Sequence, residues 1–453
     1  MAYLEPLAER LAEPAGVKQV DDANVAGQSN TQTNAPSMVR SVIAGTIGNA
    51  FESFDWSVYT TFAIFFSHRF FPEGDNAAST LSALAVFAIG FAMRPIGGWA
   101  IGTLSDRLGR RVALTVSIAM MSGSSLAIAL LPTYATIGIA APGLLVLFRL
   151  IQGLSVGGEY AAAMTFVTET APAARRGFFS GFVFFSTALG LLVASALGWL
   201  LTRVLSQDAM MSYGWRIPFF IGGIGALVGF WIRRGVEETA AFRDMQARHV
   251  AAEHRSLRGL LREHRGATVR LIGISLLGAV AFYLFTSYIP VYAVQRAGAR
   301  PIDAYAASTI GLVIFTLTQP LFGHLSDRFG RRPQLIVFAL GFLLFLYPVV
   351  LTTGSSTGSI LLVELFGLLL YGLYSSIAPA VMAELFTTEV RGVGIGAVYN
   401  TVVALLGGTT PYLMLWLQSH HREHWFLGYV SCIALVSLLT FWFMPETRGQ
   451  TLR

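Results

Sequence analysis

The chain has almost no lysine or cysteine and little charge. Its only lysine is Lys18, its only cysteine is Cys432, and charged residues are 12% of its 453 residues. A single cysteine excludes a disulfide framework and a cysteine metal site. The one lysine lies in the polar start of the chain, which excludes a lysine-containing phosphate loop and therefore ATP as the direct energy source. Soluble proteins average about 25% charged residues, so an ordinary soluble composition is also excluded.

The histidines do not supply a metal site either. The nearest approach to a metal-binding spacing is His420-His421 with His424, and a polar loop before the last apolar run explains it more simply. We find no pattern that indicates an enzyme, and we expect no metal and no organic cofactor. The basic residues are spread over short segments, which does not indicate a nucleic-acid partner.

Apolar sequence is what the chain has in abundance. Hydrophobic residues make up 54% of it, and the mean hydropathy is +0.61. Runs of about 20 apolar residues can cross a bilayer as helices. We predict twelve such spans, at 40–66, 79–104, 112–132, 141–165, 176–203, 215–233, 267–296, 302–325, 333–353, 358–384, 390–418 and 424–445.

These spans predict an all-α membrane protein in two six-helix bundles, residues 40–233 and 267–445. Residues 1–39 are polar and show no signal-peptide pattern, and we interpret them as a disordered cytoplasmic tail. Residues 234–266 alternate arginines and acids in a helix-like pattern, which predicts an amphipathic cytoplasmic linker. Residues 446–453 form a short cytoplasmic tail.

One polar decapeptide occurs twice, as GTLSDRLGRR at 102–111 and GHLSDRFGRR at 323–332. Such a sequence cannot lie in lipid, so each copy predicts a tight turn at a membrane face. The arginines of both copies and those at 175–176 fall on one side if the spans alternate. The positive-inside rule assigns that side and both termini to the cytoplasm, with the protein in the inner (plasma) membrane. Duplication of the halves is typical of transporters that rock two bundles around a central site.

Further motifs support a family resemblance. They are GNAFESFD at 48–55, MRPIGG at 93–98, RLIQGLSVGGEY at 149–160 and GWRIPF at 214–219. With the decapeptides, they resemble the major facilitator superfamily, and within it the metabolite:proton symporter family. Within that family they resemble the dicarboxylate permeases of the α-ketoglutarate and phthalate type, and proline/betaine carriers belong to the same family. The resemblance implies a proton-coupled symporter working by alternating access. Members of the family often carry an aromatic residue directly after the glutamate of the first helix. This chain departs from that pattern, because Ser53 follows Glu52 and Trp56 follows Asp55.

The first span carries two acids. Glu52, Asp55 and Tyr59 lie on one helical face because they are three and four residues apart. A carboxylate at mid-membrane costs about 3 kcal/mol on insertion scales, and burial favours its neutral form. We therefore predict proton coupling by Asp55 and Glu52, and we include Glu159 of the third motif. The alternative is that one of these acids only pairs with an arginine to hold helices together.

Two arginines are the predicted anion ligands. Arg94 and Arg149 stay charged, and their planar guanidinium groups match a carboxylate. Protonation of an acid partner would release the arginine to bind an anionic substrate. The alternatives are that Arg94 binds backbone at the Pro95 kink and that Arg149 serves the proton, since Arg-x-x-Gln-Gly is similar to a superfamily pattern associated with coupling. The other predicted substrate ligands are Tyr59, Tyr283, Tyr374, Ser375 and Asn400. Glu364 receives no role.

A gate is predicted where the decapeptides meet the ends of the fourth spans of each half. Glu169 precedes Arg176 by seven residues, and Glu384 precedes Arg391 by seven. Surface ion pairs contribute less than about 1 kcal/mol each, so only a network could bias the equilibrium between conformations. The predicted gating residues are Asp106, Arg107, Arg110, Arg111, Glu169, Arg176, Asp327, Arg328, Arg331, Glu384 and Arg391.

The predicted function is uptake of a small carboxylate, most simply a dicarboxylate, together with protons by a monomer. Moving a dianion against 100 mV costs about 4.6 kcal/mol, so two or more protons are needed. One alternative is a symporter for a zwitterionic osmolyte such as proline or betaine. Another is extrusion of amphipathic compounds, which intramembrane arginines disfavour. A nutrient sensor that binds without translocating is the alternative from another class.

Overall fold

The computed structural model describes residues 35–72, 76–108, 110–156, 159–233, 263–386 and 388–450. The predicted tail up to residue 34, the linker at 234–262 and the last three residues lie outside this description. So do the side chains of six predicted site residues: Asp106, Arg107, Arg110, Arg111, Glu159 and Arg391. The described residues from Val42 onward belong to one compact unit that contains both halves.

All regular secondary structure in the described ranges is helical. It forms twelve rods, several of them segmented, and four short helical segments between rods at Tyr134–Ile137, Ala173–Arg175, Gln207–Ala209 and Met210–Gly214. The rods are α1 (Ala35–Phe70), α2 (Asn76–Ala92 and Arg94–Leu108), α3 (Arg110–Leu130), α4 (Ala140–Val156 and Glu159–Thr170), α5 (Arg176–Val204), α6 (Arg216–Arg233), α7 (Arg265–Tyr283, Leu284–Tyr288 and Ile289–Gln295), α8 (Pro301–Phe329), α9 (Arg331–Leu351), α10 (Thr357–Ser375 and Ala378–Leu385), α11 (Thr388–Val402, Val403–Gly407 and Thr410–Ser419) and α12 (Glu423–Phe443).

The twelve predicted spans each coincide with one rod, but two features differ. Helix α1 begins at Ala35, inside the segment predicted as a disordered tail. Several rods are interrupted: α7 and α11 contain π-helical turns, and a proline stands in the first turn of the segment after each interruption in α7, α10 and α11. Proline lacks the N–H that would continue the preceding helix.

Seven helices in the described ranges are long and apolar enough to cross a membrane. Two further apolar helices, Thr115–Leu130 and Ala140–Val156, are shorter. Large apolar side chains such as Leu344, Leu362 and Phe443 are exposed on the outside of the bundle. An outer surface of this kind suits lipid contact. The two halves meet mainly where α5 packs along α8.

The two halves approach each other closely near the start of α5. A Cβ added to Gly323 would stand 2.2 Å from the backbone oxygen of Gly177, and one added to Gly177 would stand 2.5 Å from the oxygen of Gly323. Only glycine at both positions allows the backbones to come this near. The two halves are therefore in direct backbone contact at this point.

Candidate functional site

A cavity lies between the two halves. Its wall comes from α1, α2, α4 and α5 of the first half and from α7, α10 and α11 of the second. About 70 Å³ is open to the centres of water molecules, several times the roughly 10–15 Å³ that one water requires. The polar wall residues are Asn49, Glu52, Ser53, Trp56, Ser57, Arg94, Tyr160, Thr187, Tyr283, Thr286, Ser287, Tyr371, Tyr399 and Asn400.

Arg94 and Glu52 are the only charged residues among the described side chains of this wall. Arg94 opens the second segment of α2 and is 8% exposed, and Glu52 is 7% exposed. The Arg94 guanidinium carbon lies 3.9 Å from the ring centre of Phe91 and 4.4 Å from that of Trp56. Such cation–π contacts hold a guanidinium without neutralising it. The wall thus presents a cation that can bind an anion.

Asp55 lies behind the wall, inside the first bundle. Its carboxylate accepts a hydrogen bond from Ser125 of α3 through Oδ1, and one of 2.7 Å from Gln152 of α4 through Oδ2. Gln152 Oε1 accepts in turn from Arg149 Nη1 at 2.8 Å. An amide that donates to the acid and accepts from the cation connects the two charges. Asp55 and Arg149 are therefore parts of one network.

Aromatic rings support Arg149. Its guanidinium carbon lies 3.6 Å from the ring centre of Tyr59 and 5.1 Å from that of Trp56. The Tyr59 hydroxyl donates to the backbone oxygen of Ala83 at 2.9 Å, which fixes the ring. Within the described part of the chain, Arg149 Nε and Nη2 have no hydrogen-bond acceptor. Trp56 lies within cation–π distance of both arginines, and it links the buried network to the cavity wall.

The structure divides the predicted substrate ligands. Arg94, Tyr283 and Asn400 lie on the cavity wall. Arg149 and Tyr59 are fully buried in the first bundle instead. Tyr374 stacks on Phe338 with ring centres 5.2 Å apart.

Ser375 also lies away from the wall, and it donates to Gln319 at 2.8 Å. In this conformation Arg149, Tyr59, Tyr374 and Ser375 do not line the cavity, so their direct contact with a solute stays a prediction that this geometry does not support. Their side chains are committed to packing and hydrogen bonds within one bundle.

Sequence reasoning missed several residues of the site. Gln152 could have been found, because a three-residue spacing places it on the helical face of Arg149. Ser125 could not, because it lies among similar serines in an apolar run. The aromatic wall residues Trp56, Tyr160 and Tyr371 carry no sequence signal that separates them from core aromatics. Tyr160 and Tyr399 stack across the two halves with ring centres 5.1 Å apart.

A charged cluster joins the halves at the end of the molecule that carries the decapeptides, here called the repeat face. Arg176 of α5 binds Glu384 of α10 at 3.1 Å. Arg331 of α9 binds Asp327 at 2.8 Å and lies 3.6 Å from Glu384. The side chains of these four residues are 0–6% exposed. Glu384 thus connects an arginine from each half.

Asp327 caps the start of α5. Its two oxygens accept hydrogen bonds of 2.8 Å from the backbone N–H groups of Gly177 and Phe178. A carboxylate at a helix N-terminus is favoured because it satisfies free donors and complements the helix dipole. The second decapeptide is therefore bound directly to the first half.

The other described gating candidates lie at the edge of this cluster. Glu169 is exposed, and the backbone oxygen of Arg328 accepts from Arg448 at 2.7 Å. Glu446 accepts from the backbone N–H groups of Arg331 and Arg332 at 2.9 and 3.0 Å. Glu446 thus holds the start of α9 in place.

The comparisons with known proteins agree with this architecture. A family model described as Major Facilitator Superfamily matches residues 45–411 and 309–451. The alpha-ketoglutarate permease of Escherichia coli is 37% identical over 425 residues, covering 93% of this chain and 97% of the permease. The inner membrane metabolite transport protein YhjE of the same organism is 34% identical over 433 residues, covering 94% and 98%.

A proline/betaine transporter of Salmonella typhimurium is also similar, with 31% identity over 427 residues, 91% of this chain and 85% of that protein. Among solved structures, the xylose transporter XylE from E. coli in a partially occluded inward-open conformation has a TM-score of 0.74 at 21% identity and covers 92% of this chain and 99% of XylE. At this identity the structural match shows the fold alone. The relatives are transporters and not enzymes, and the chain belongs to the major facilitator superfamily of membrane transporters.

Proposed function

We propose that the chain imports a small organic carboxylate together with protons by alternating access. The observation that carries the proposal is the placement of Arg94 and Glu52 on the wall of a cavity between the halves. While Glu52 is ionised, its charge offsets that of Arg94. Protonation of Glu52 removes this offset, so an anion can bind the guanidinium. Proton arrival and anion binding are then linked.

The buried network supports a second proton site at Asp55. Protonation of Asp55 changes the hydrogen bond that Gln152 makes, and Gln152 also holds Arg149. Arg149 and Arg94 flank Trp56, so a shift of Arg149 reaches the cavity through that ring. Asp55 and Glu52 are the coupling groups of the proposal. Glu159 remains a sequence-based candidate for the same role.

The substrate class follows from the chemistry of the wall. One guanidinium binds one carboxylate bidentately. Tyr283, Tyr399 and Asn400 of the second half line the cavity with neutral donors, which suit a second carboxylate or a carbonyl oxygen. A dicarboxylate such as α-ketoglutarate fits this combination, and the E. coli alpha-ketoglutarate permease is a similar protein.

The proposed carrier works as a monomer, with both termini and the repeat face in the cytoplasm. We place it in the inner membrane because the similar protein YhjE is an inner membrane metabolite transport protein. The proposed carrier uses protons and no other cofactor.

A zwitterionic osmolyte is the second candidate. Rings of Trp56, Phe87, Phe282 and Tyr371 line the cavity, and aromatic walls attract quaternary ammonium groups. Arg94 would bind the carboxylate of proline or betaine. Proline and betaine are named as the osmolytes because a proline/betaine transporter is among the similar proteins.

Uptake into proteoliposomes tests the proposal. Vesicles with an acidic exterior receive labelled α-ketoglutarate, with phthalate, benzoate, proline and betaine as competitors. We expect accumulation that collapses when the pH gradient is abolished, and competition by dicarboxylates. Arg94→Gln should lower uptake by about 10-fold or more, since a hydrogen bond to a charged group contributes about 1.5–3 kcal/mol. Arg203→Gln is the matched control, because Arg203 lies over Trp199 at 5.5 Å but is exposed outside the cavity.

The alternatives give different results. Accumulation of betaine without any carboxylate would favour the osmolyte carrier. Saturable binding without accumulation would indicate a sensor. Equal uptake by Arg94→Gln and wild type would contradict the role of the guanidinium.

A further inference from the structure

A carboxyl group is buried in the second bundle, away from the central cavity. Glu364 of α10 is 1% exposed. Ser308 of α8 donates to its Oε1 at 2.5 Å. In the described part of the chain, Oε2 has no hydrogen-bond partner and Glu364 forms no ion pair. The carboxyl group packs against Gly311 of α8, and a Cβ added to this glycine would stand 3.3 Å from Oε2.

The helices that pack against this part of α10 bring no charge to Glu364. Asp303, at the start of α8, is bound to Arg300 and Thr357. Arg331, at the start of α9, is bound to Asp327 at the repeat face. In the last part of α7 and near Ser308 on α8, the titratable groups are the phenols of Tyr288, Tyr292 and Tyr305. The Tyr288 and Tyr305 phenols donate to Gln418 and to the backbone oxygen of Thr61.

This environment determines the protonation state in the present conformation. A buried carboxylate with a single hydroxyl donor and no cation costs several kcal/mol, and proteins avoid this cost by neutralising the group. Glu364 therefore carries a proton here.

Ser308 gives this proton a route out. Besides binding Glu364, it lines a smaller cavity in which about 20 Å³ is open to the centres of water molecules, which is room for about one water. The wall of the smaller cavity carries hydroxyls from both halves, and it shares Ser57, Leu191, Thr286 and Ser287 with the central cavity.

On the side away from the repeat face, two contacts between the halves border the smaller cavity. Tyr305 donates to the backbone oxygen of Thr61, and the hydroxyls of Ser195 and Thr309 lie 3.1 Å apart. Separation of the halves at this point breaks both contacts and opens the smaller cavity. The surroundings of Glu364 therefore depend on which face of the transporter is open.

We propose that Glu364 is a further proton-binding site of the transport cycle and that it exchanges its proton with water through Ser308. For release, the protonated Oε1 donates to Ser308 Oγ, the reverse of the present bond, and the serine hydroxyl turns toward a water molecule in the smaller cavity. The carboxyl proton then passes to Ser308 Oγ while the serine's own proton passes to that water, which leaves Glu364 as a carboxylate and the water as hydronium. One proton leaves the acid, one enters the water, and Ser308 ends unchanged. The inference rests on the proposed function and deepens it by placing a coupling group in the second bundle. It also provides one of the two or more protons that dianion uptake requires.

The test measures protons moved per substrate in sealed proteoliposomes, with an internal pH dye and labelled α-ketoglutarate. Exchange of substrate for substrate in the absence of a pH gradient reports folding and binding. Glu364→Gln is expected to keep exchange within about twofold of wild type. Its proton-to-substrate ratio should fall by one. Accumulation at a gradient of one pH unit should then fall about 10-fold, which equals the loss of one coupled proton.

Two further variants complete the design. Glu423→Gln is the matched control, because Glu423 is a surface acid of the same bundle that lies 3.5 Å from Arg296. It should keep the wild-type ratio. Ser308→Ala should slow proton-driven uptake several-fold and leave exchange intact. If Glu364→Gln does not fold, Ser308→Ala decides the question through this same comparison.

The outcomes separate this inference from the proposed function. A wild-type ratio in Glu364→Gln would overturn the role of Glu364 and leave proton-coupled uptake in place. If Glu364→Gln does not fold, proton-driven uptake by Ser308→Ala at the wild-type rate would overturn the role of Glu364 in the same way. A wild-type protein that moves substrate without protons would contradict the proposed function itself.

Discussion

Arg149 and Asp55 are connected by an intervening amide and not by a direct ion pair. The Gln152 side chain accepts from Arg149 at 2.8 Å and donates to Asp55 at 2.7 Å. A direct ion pair would hold the two charges together with little dependence on the rest of the bundle. An amide transmits a change at the acid to the guanidinium, because one side chain makes both bonds. Coupling in the proposed carrier therefore depends on a neutral residue.

Gln152→Met tests this relationship. Methionine keeps the length and volume of glutamine but cannot bond to either charge. We expect proton-driven uptake to fall by at least 10-fold while substrate exchange without a gradient is retained. The free energy of unfolding, measured by thermal unfolding, should fall by about 1–3 kcal/mol, because the buried side chains of Asp55 and Arg149 each lose a hydrogen-bond partner.

A serine on α3 provides the control for Gln152→Met. Ser117 donates to the backbone oxygen of Ser155 and so also joins α3 to α4, but it lies outside the Asp55 network. Ser117→Ala should leave coupling unchanged. Full coupling in Gln152→Met would show that the amide is only structural.

The ring of Tyr59 is expected to matter more than its hydroxyl. Tyr59→Phe removes the bond to Ala83 but keeps the ring 3.6 Å from the Arg149 guanidinium. The expected cost is about 1 kcal/mol of stability, with uptake near wild type. Tyr59→Leu also removes the cation–π contact, which contributes about 2 kcal/mol when desolvated. Its uptake should be several-fold lower. Equal uptake by the two variants would rule out a role for the ring.

A methyl group at Gly323 should separate the halves at the repeat face. The added Cβ would stand 2.2 Å from the backbone oxygen of Gly177, which cannot move aside alone. We expect Gly323→Ala to favour the conformation open at that face and to slow transport. Labelling of a cysteine introduced near the cavity should become faster from that face. Gly428→Ala is the control, because nothing lies within 4 Å of its added Cβ. Slower labelling in Gly323→Ala would contradict this prediction.

Asp327→Asn should also weaken the contact between the halves at the repeat face, through lost hydrogen bonds and charge and not through steric overlap. Asparagine cannot accept from both N–H groups of α5 and also neutralise Arg331. We expect the transport rate to fall several-fold with substrate affinity unchanged, measured as initial uptake and as thermal shift with substrate. Asp208→Asn, at an exposed position, should have no effect. A change in affinity with an unchanged rate would place Asp327 in the binding site instead.

Much of the fold could be predicted from the sequence because lipid allows few solutions. Twenty-residue apolar runs and a repeated polar decapeptide define rods, turns and two halves. The interruptions in α7, α10 and α11 were not predicted, because apolar residues continue through each of them. Their signal is the proline that follows, at Pro290, Pro379 and Pro411.

The site was predicted in part. Helical spacing grouped Glu52 with Asp55, but a step of three residues turns the helix by about 60° from a full turn. Because of this difference, Glu52 faces the cavity and Asp55 faces the interior of the first bundle. Which tyrosines meet the cavity depends on how α7, α10 and α11 pack together, so the pattern within one helix could not separate Tyr283 and Tyr399 from Tyr374.

Proton coupling by Asp55 is tested most directly by following proton entry and substrate entry in the same proteoliposomes, with wild type compared with Asp55→Asn. Wild-type vesicles are expected to acidify in step with α-ketoglutarate uptake. Asp55→Asn is expected to exchange substrate normally but to acidify the interior less per molecule taken up. Identical acidification per substrate molecule in the two proteins would contradict the claim that the Asp55–Gln152–Arg149 network couples protons to transport.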